Sequence, residues 1–160
     1  MTYSMDRDSD EFKEFLRYLQ FCTHVAHFDY ASSLPDDLAA NGRAIVEEGE
    51  ALFLLYRPES TQISEMIWIT DQALYLAVSN NLPIRAAYED IERIRLPFDD
   101  PKSAIQDPDL RKLTFTMKDN KQLDVPVSGI TNGELDLFKL SYIVTKAQLA
   151  LGVIPEPAND

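Results

Sequence analysis

The chain has 160 residues, 45% hydrophobic and 10% aromatic, which is enough for one domain with a sizeable core and excludes a wholly disordered segment or a small stapled scaffold. Its net charge of −12 opposes binding to a nucleic-acid duplex or an anionic membrane. No apolar run approaches the roughly 20 residues that cross a bilayer, and the single cysteine, Cys22, can form no internal disulfide.

The first ten residues show no basic region followed by an apolar stretch, so no secretory signal is expected and the expected location is cytoplasmic. Residues 1–50 carry 11 acids and 4 bases, against 16 and 11 in residues 51–160, so the N-terminal part is the more acidic in proportion. Such a surplus serves solubility, or docks a basic protein.

Asp8-Ser-Asp-Glu11 is a helix start, with acids at the positive end of the helix dipole. Phe12, Phe15, Leu16, Leu19, Cys22 and Ala26 then fall on one helical face, with Tyr18, Phe21, Val25 and Phe28 beside it. So wide a stripe implies burial on more than one side or contact with a partner. Cys22 reads as a small buried residue. His24 and His27 share a face, but two histidines without a third ligand do not make a metal site. A second, short helix comes next, with Ser33 as its cap, Pro35 in its first turn and Asn41-Gly42 as its stop. Residues 1–44 are thus expected as a helical hairpin packed on the β-rich remainder of the chain.

Ala51–Arg57 is an apolar strand, buried on both faces or part of a barrel. Met66–Ser79 reads as strand, turn at Thr70-Asp71-Gln72, strand. Asn80-Asn81 signals a turn. Leu82–Phe98 reads as a strand, a kink, and a strand beginning near Ile91. Pro97–Asp109 is a long loop with one helical turn near Ser103–Gln106; its Asp99, Asp100, Asp107 and Asp109 lack calcium-loop spacing and form a solvated acidic surface that is a candidate contact. Leu113–Val127 alternates as a hairpin turning at Asp119-Asn120, and Pro126 marks an edge. The last helix is expected from about Gly133 to Leu151, capped by Thr131 or Asn132. It carries one stripe of Leu137, Leu140, Val144, Ala147 and Leu151 and a second of Leu135, Phe138, Tyr142 and Leu149; Gly152 and Pro155 stop it.

Gly49-Glu50 opening a strand, Trp68-Ile-Thr-Asp-Gln-Ala-Leu-Tyr75 and Tyr88-Glu-Asp-Ile-Glu-Arg-Ile94 resemble the bacterial PH-like and GRAM-like domain family over residues 45–151. The expected fold is α+β. A PH-like antiparallel barrel or curved sheet of about six or seven strands is capped by the C-terminal helix and preceded by the N-terminal helices. Residues 45–152 would form this domain and 153–160 a tail. The resemblance implies binding rather than chemistry: lipid head groups, peptides or proteins. Phosphoinositide binding in that family depends on a basic first hairpin; Arg57–Glu65 offers one base against two acids.

No phosphate loop, nucleophile elbow, His-Glu-x-x-His or Cys-x-x-Cys is present, so no catalytic residue, cofactor or metal ligand is assigned. The expected function is a non-catalytic cytosolic protein-interaction module that contacts a protein partner or itself. The alternatives are an acidic inhibitor or immunity-type protein that neutralises a basic partner, and peripheral lipid binding. Candidate partner-binding residues are Phe21, Phe28, Asp99, Asp100, Asp107, Asp109, Phe138 and Tyr142.

Overall fold

The computed structural model describes residues 3–25, 27–58, 66–77 and 83–153. Ala26, most of the Arg57–Glu65 loop, the Asn80-Asn81 turn and the tail from residue 154, with Pro155, lie outside these residues. The class is α+β, as the element pattern predicts, and every strand pairing among the described residues is antiparallel.

Helix α1 (Asp10–Thr23) begins where its cap places it. Ser9 Oγ accepts from Phe12 N at 3.1 Å, and Asp10 and Glu11 occupy the first turn. The helix stops earlier than the apolar spacing predicts. His27 takes a φ of +82°, and Phe28–Tyr30 form strand β1, paired with Leu54–Tyr56 of β2 (Leu52–Tyr56). Sheet pairing here overrides local helical spacing. Phe28 is therefore a core residue, 1% exposed with its ring 4.8 Å from Tyr56, and the expectation that it contacts a partner is corrected.

Helix α2 (Asp36–Ile45) also departs from expectation. Ser33 sits in a 3-10 turn, Pro35 takes the N-cap without a side-chain bond, and Asn41-Gly42 does not stop the helix. Gly42 lies against the Trp68 ring, and a Cβ there would overlap the indole. The glycine is required by close approach, not by a helix end.

Strands β1, β2, β3 (Met66–Thr70), β4 (Ala73–Ala77) and β5 (Ile84–Ala87) form one sheet in that order. Leu54, Tyr56, Ile67, Ile69, Leu74 and Leu76 face the main core. Leu55, Trp68 and Tyr75 face the opposite way, against Leu34 and Ala39. Both faces are covered, which explains the unbroken apolar run in β2. The N-terminal segment is thus not a simple helical hairpin: it straddles the sheet, with α1 on one face, α2 on the other and β1 at the edge between them.

A 3-10 turn, Tyr88–Asp90, leads into β6 (Ile91–Arg95), and β6, β7 (Lys112–Met117) and β8 (Gln122–Pro126) form a second sheet in that order. The two sheets do not close into a barrel among the described residues. Pro126 lies on an outer strand, where its missing amide hydrogen costs least. Between β6 and β7 run a short helix, α3 (Pro101–Gln106), and a 3-10 turn, Pro108–Leu110.

Thr131 and Asn132 do not cap the last helix; they belong to a small hairpin of β9 (Ile130–Thr131) and β10 (Glu134–Leu135). Helix α4 (Asp136–Leu151) then starts without a side-chain cap and ends at Gly152, whose φ of +77° favours glycine. Leu137, Leu140, Val144, Ala147 and Leu151 are all buried, as the first stripe predicts. Helices α1 and α4 lie antiparallel: Glu14 meets Lys146 at 3.8 Å and Tyr18 meets Tyr142 at 5.9 Å between ring centroids.

The stretches that carry the family resemblance form one hydrogen-bonded knot. Glu50 accepts from Thr70 Oγ1 (2.8 Å), Tyr75 OH (2.6 Å) and Arg85 Nε (3.2 Å). Thr70 Oγ1 accepts from the amides of Gln72 and Ala73, closing the β3–β4 turn, and Asp71 Oδ1 accepts from Ala51 N. Tyr88 OH donates to Thr70 O at 2.8 Å, and Gln148 Nε2 of α4 donates to the carbonyls of Tyr88 and Ile91.

Burial pushes the Tyr88 phenol well above its ordinary value; burial, then the Glu50 hydrogen bond, raises Tyr75 as well. The sign comes from proton counting. Above about pH 10 the unfolded phenols ionise while the folded ones keep their protons, so stability falls as pH climbs through that range. Phenolate absorbance in the native protein is therefore expected to lag behind a denatured control and then to rise together with loss of ellipticity. A titration that superimposes on the denatured control excludes this packing.

Candidate functional site

The wide stripes on α1 and α4 are covered only in part. Phe12, Phe15, Leu19 and Cys22 of α1 are buried, but Phe21 is 52% exposed; on α4, Tyr142 is 58% exposed. These two side chains do not lie apart. The Tyr18 ring stands 5.8 Å from Phe21 and 5.9 Å from Tyr142, so the three aromatics form a continuous surface across the α1–α4 seam. Tyr18 stays in place because Lys146 lies over its ring at 5.8 Å.

Helix α3 supplies the other bank. Tyr18, Phe21, Phe138, Tyr142, Pro101 and Ile105 line a groove of about 440 Å³, with Glu134 and Lys139 also in its lining. Phe138 is fixed from behind by Phe98 at 6.3 Å. The loop holding α3 is fixed by Arg111, whose guanidinium donates to the carbonyls of Ala104 (2.8 Å) and Ile105 (2.7 Å). Pro101 and Ile105 are thereby held as a wall.

The acidic candidates flank this wall. Asp100 Oδ1 accepts from Lys102 N and caps α3; Asp107 Oδ1 accepts from Asp109 N and caps the next turn. Asp99, Asp100, Asp107 and Asp109 are all exposed. Of the sequence candidates, then, Phe21, Phe138 and Tyr142 line one groove, and the four aspartates lie at the two ends of the helix that walls it. Phe28 is elsewhere, in the core. Tyr18, Ile105 and Lys139 complete the groove without having been candidates. Tyr18 and Phe21 lie three apart, a same-face spacing visible in the sequence, whereas nothing local relates Ile105 to α4.

Behind the groove is a buried polar cluster. Asp136, fully buried, accepts from Tyr56 OH at 3.0 Å and Thr131 Oγ1 at 2.8 Å; His27 Nδ1 lies 2.5 Å from its Oδ2 and Lys139 Nζ 3.8 Å from its Oδ1. Gly129 N donates to Tyr56 OH, and a Cβ on Gly129 would overlap Asp136, Tyr56 and His27. The Gly129 backbone thus packs directly against the carboxylate, the Tyr56 hydroxyl and the His27 ring. The cluster joins the residue before β1, the ends of β2 and β9, and the start of α4.

Burial pushes the Cys22 thiol up to about 12, outweighing the nearby Lys139 ammonium, which acts in the opposite direction. Such a thiol is protonated at neutral pH and inert. Ellman's reagent is expected to find no reactive thiol in the native chain and one per chain in denaturant; rapid reaction of the native protein excludes this burial. Burial raises the Tyr18 phenol too.

No family model, curated protein or solved structure matches the chain. No described helix is long and apolar enough to cross a membrane, and among the described residues no three His, Cys, Asp or Glu side chains gather as a metal site.

Proposed function

We propose that the chain is a non-catalytic protein-interaction module of PH-like build, acting in the cytoplasm through the groove between α1, α3 and α4. The observation that carries this is the pairing of Phe21 and Tyr142, both more than half exposed, across the shared Tyr18 ring. Contiguous aromatic surface in a groove is where interfaces place their anchors. The PH-like part of the reading rests on element order. Four strands, β2–β5, form one antiparallel run, β6–β8 a second, and α4 comes after them and packs into the core between.

The alternative of an acidic inhibitor uses the same groove and is favoured by the exposed aspartates beside it. Peripheral lipid binding is favoured by no described feature, and sedimentation with anionic vesicles at low salt tests it.

The test is site-directed photo-crosslinking. A photoreactive phenylalanine analogue replaces Phe21 in the cells that make the protein, and Lys121, on the far β7–β8 turn, is the control position. A discrete adduct with another polypeptide at position 21 and none at 121 is expected. No adduct at position 21 overturns the assignment of this groove as the interaction surface.

A further inference from the structure

We infer that the groove between α1, α3 and α4 receives a basic, amphipathic segment of a partner protein, its apolar side chains on Phe21 and Tyr142 and its cations toward the α3 aspartates. This rests on the interaction reading and adds the chemistry of the occupant.

Charges around the groove are unequally paired. Three cations that line or brace it already have structural roles, and Lys102 on α3 is exposed without an ion pair among the described residues. Lys139 is buried against Asp136 at 3.8 Å; Lys146 meets Glu14 at 3.8 Å and covers Tyr18; Arg111 bonds the α3 carbonyls. The acids are not matched in this way. Asp99, Asp100, Asp107, Asp109 and Glu134 are exposed, and none makes an ion pair among the described residues. Residues 97–109 contain four aspartates and one lysine, Lys102. Glu134 lies close enough to Tyr18 to raise its phenol. The groove therefore has an apolar floor, Glu134 in its lining, and a wall helix with exposed aspartates at both ends, and complementary potential selects a positive partner.

The same charges argue against a second copy of this chain. Two copies meeting at the groove would bring their α3 aspartates together, on molecules that each carry −12. A neutral apolar segment would fill the floor and leave the aspartates unused. A basic amphipathic segment satisfies both, in the manner of a helix laid in a groove.

The experiment pans a random peptide display library against the intact chain and reselects on two variants. One is Phe21→Ser/Tyr142→Ser. The other is Asp99→Asn/Asp100→Asn/Asp107→Asn/Asp109→Asn, in which asparagine keeps the capping oxygens at positions 100 and 107 and removes the charge. All six positions are exposed, so thermal midpoints are expected within a few degrees of the parent, and this is checked first.

The expected result is a set of peptides rich in Lys and Arg around apolar anchors, lost on the serine variant. The asparagine variant should bind them roughly tenfold more weakly, chiefly through slower association, with a flatter salt dependence. Groove-dependent peptides with no net positive charge overturn the inference while leaving the interaction reading standing. No groove-dependent peptide overturns both. A dimer in light scattering that vanishes with Phe21→Ser/Tyr142→Ser assigns the groove to a second copy and likewise overturns the inference.

Discussion

Asp136→Ala is expected to destabilise the protein by about 3–5 kcal/mol, the range for removing one partner of a buried ion pair. The carboxylate is fully buried and answers four groups at once: His27, Tyr56, Thr131 and Lys139. Its loss leaves an ammonium buried without a counter-charge and removes the acceptor of Tyr56 OH and Thr131 Oγ1. For a chain of this size each kcal/mol is worth roughly 2–4 °C, so the midpoint should fall by on the order of 10 °C. Asp136→Asn should fall between, since its single amide oxygen can replace only one of the two carboxylate oxygens that accept from Tyr56 and Thr131, and it offers Lys139 no charge. The measurement is urea unfolding followed by far-UV circular dichroism, with the slope unchanged and the midpoint shifted. A midpoint within about half a kcal/mol of the parent for Asp136→Ala, the spread of ordinary surface substitutions, would show that the cluster does not hold β1, β2, β9 and α4 together.

That cluster also marks where sequence reasoning ends. His27 and Asp136 are 109 residues apart. His27 reads as part of a helix, and nothing in the sequence singles out Asp136. Only the packed fold shows that β1 and α4 converge on the same point. Elements whose signal is local were legible: the helix start within Asp8–Glu11, the Met66–Ala77 hairpin, the Ile91 strand start, the buried α4 stripe and the Gly152 stop. The errors share one cause, which is tertiary structure overriding a local preference. Phe28 lies beside a helical stripe yet pairs with Tyr56 in a sheet, and Gly42 follows Asn41 yet lies within a helix, where the indole against it requires glycine. The groove was legible in halves. The breadth of the α1 and α4 stripes leaves open burial on more than one side or contact with a partner, and only the packed fold shows Phe21 and Tyr142 exposed. The third wall comes from α3, whose place beside them is set by Arg111 and a loop with no apolar period.

The second large effect is expected at the other face of the main sheet. Trp68 is the only tryptophan and is fully buried between β3 and α2, in a small cluster with Leu34, Ala39, Leu55, Ala73 and Tyr75. Trp68→Ala should cost about 3–5 kcal/mol, because a cluster this small has few neighbours able to collapse into the cavity. Its indole Nε1 finds no acceptor among the described residues, so Trp68→Phe removes an unsatisfied donor along with part of the ring and should cost far less. Gly42→Ala inserts a methyl where the indole already stands and should cost about 1–3 kcal/mol through overpacking, despite alanine's better helix propensity. The two sites are coupled by contact, so their effects should not add. In a Trp68→Ala background the methyl enters the space the ring has left. There Gly42→Ala should change sign and stabilise by up to about 1 kcal/mol, the propensity difference between the two residues. Urea midpoints of the four proteins, read by circular dichroism since the fluorophore is gone in two of them, complete the cycle. Additive costs would mean that the helix passes Trp68 at a distance, and that Gly42 is tolerated in α2 rather than required by it.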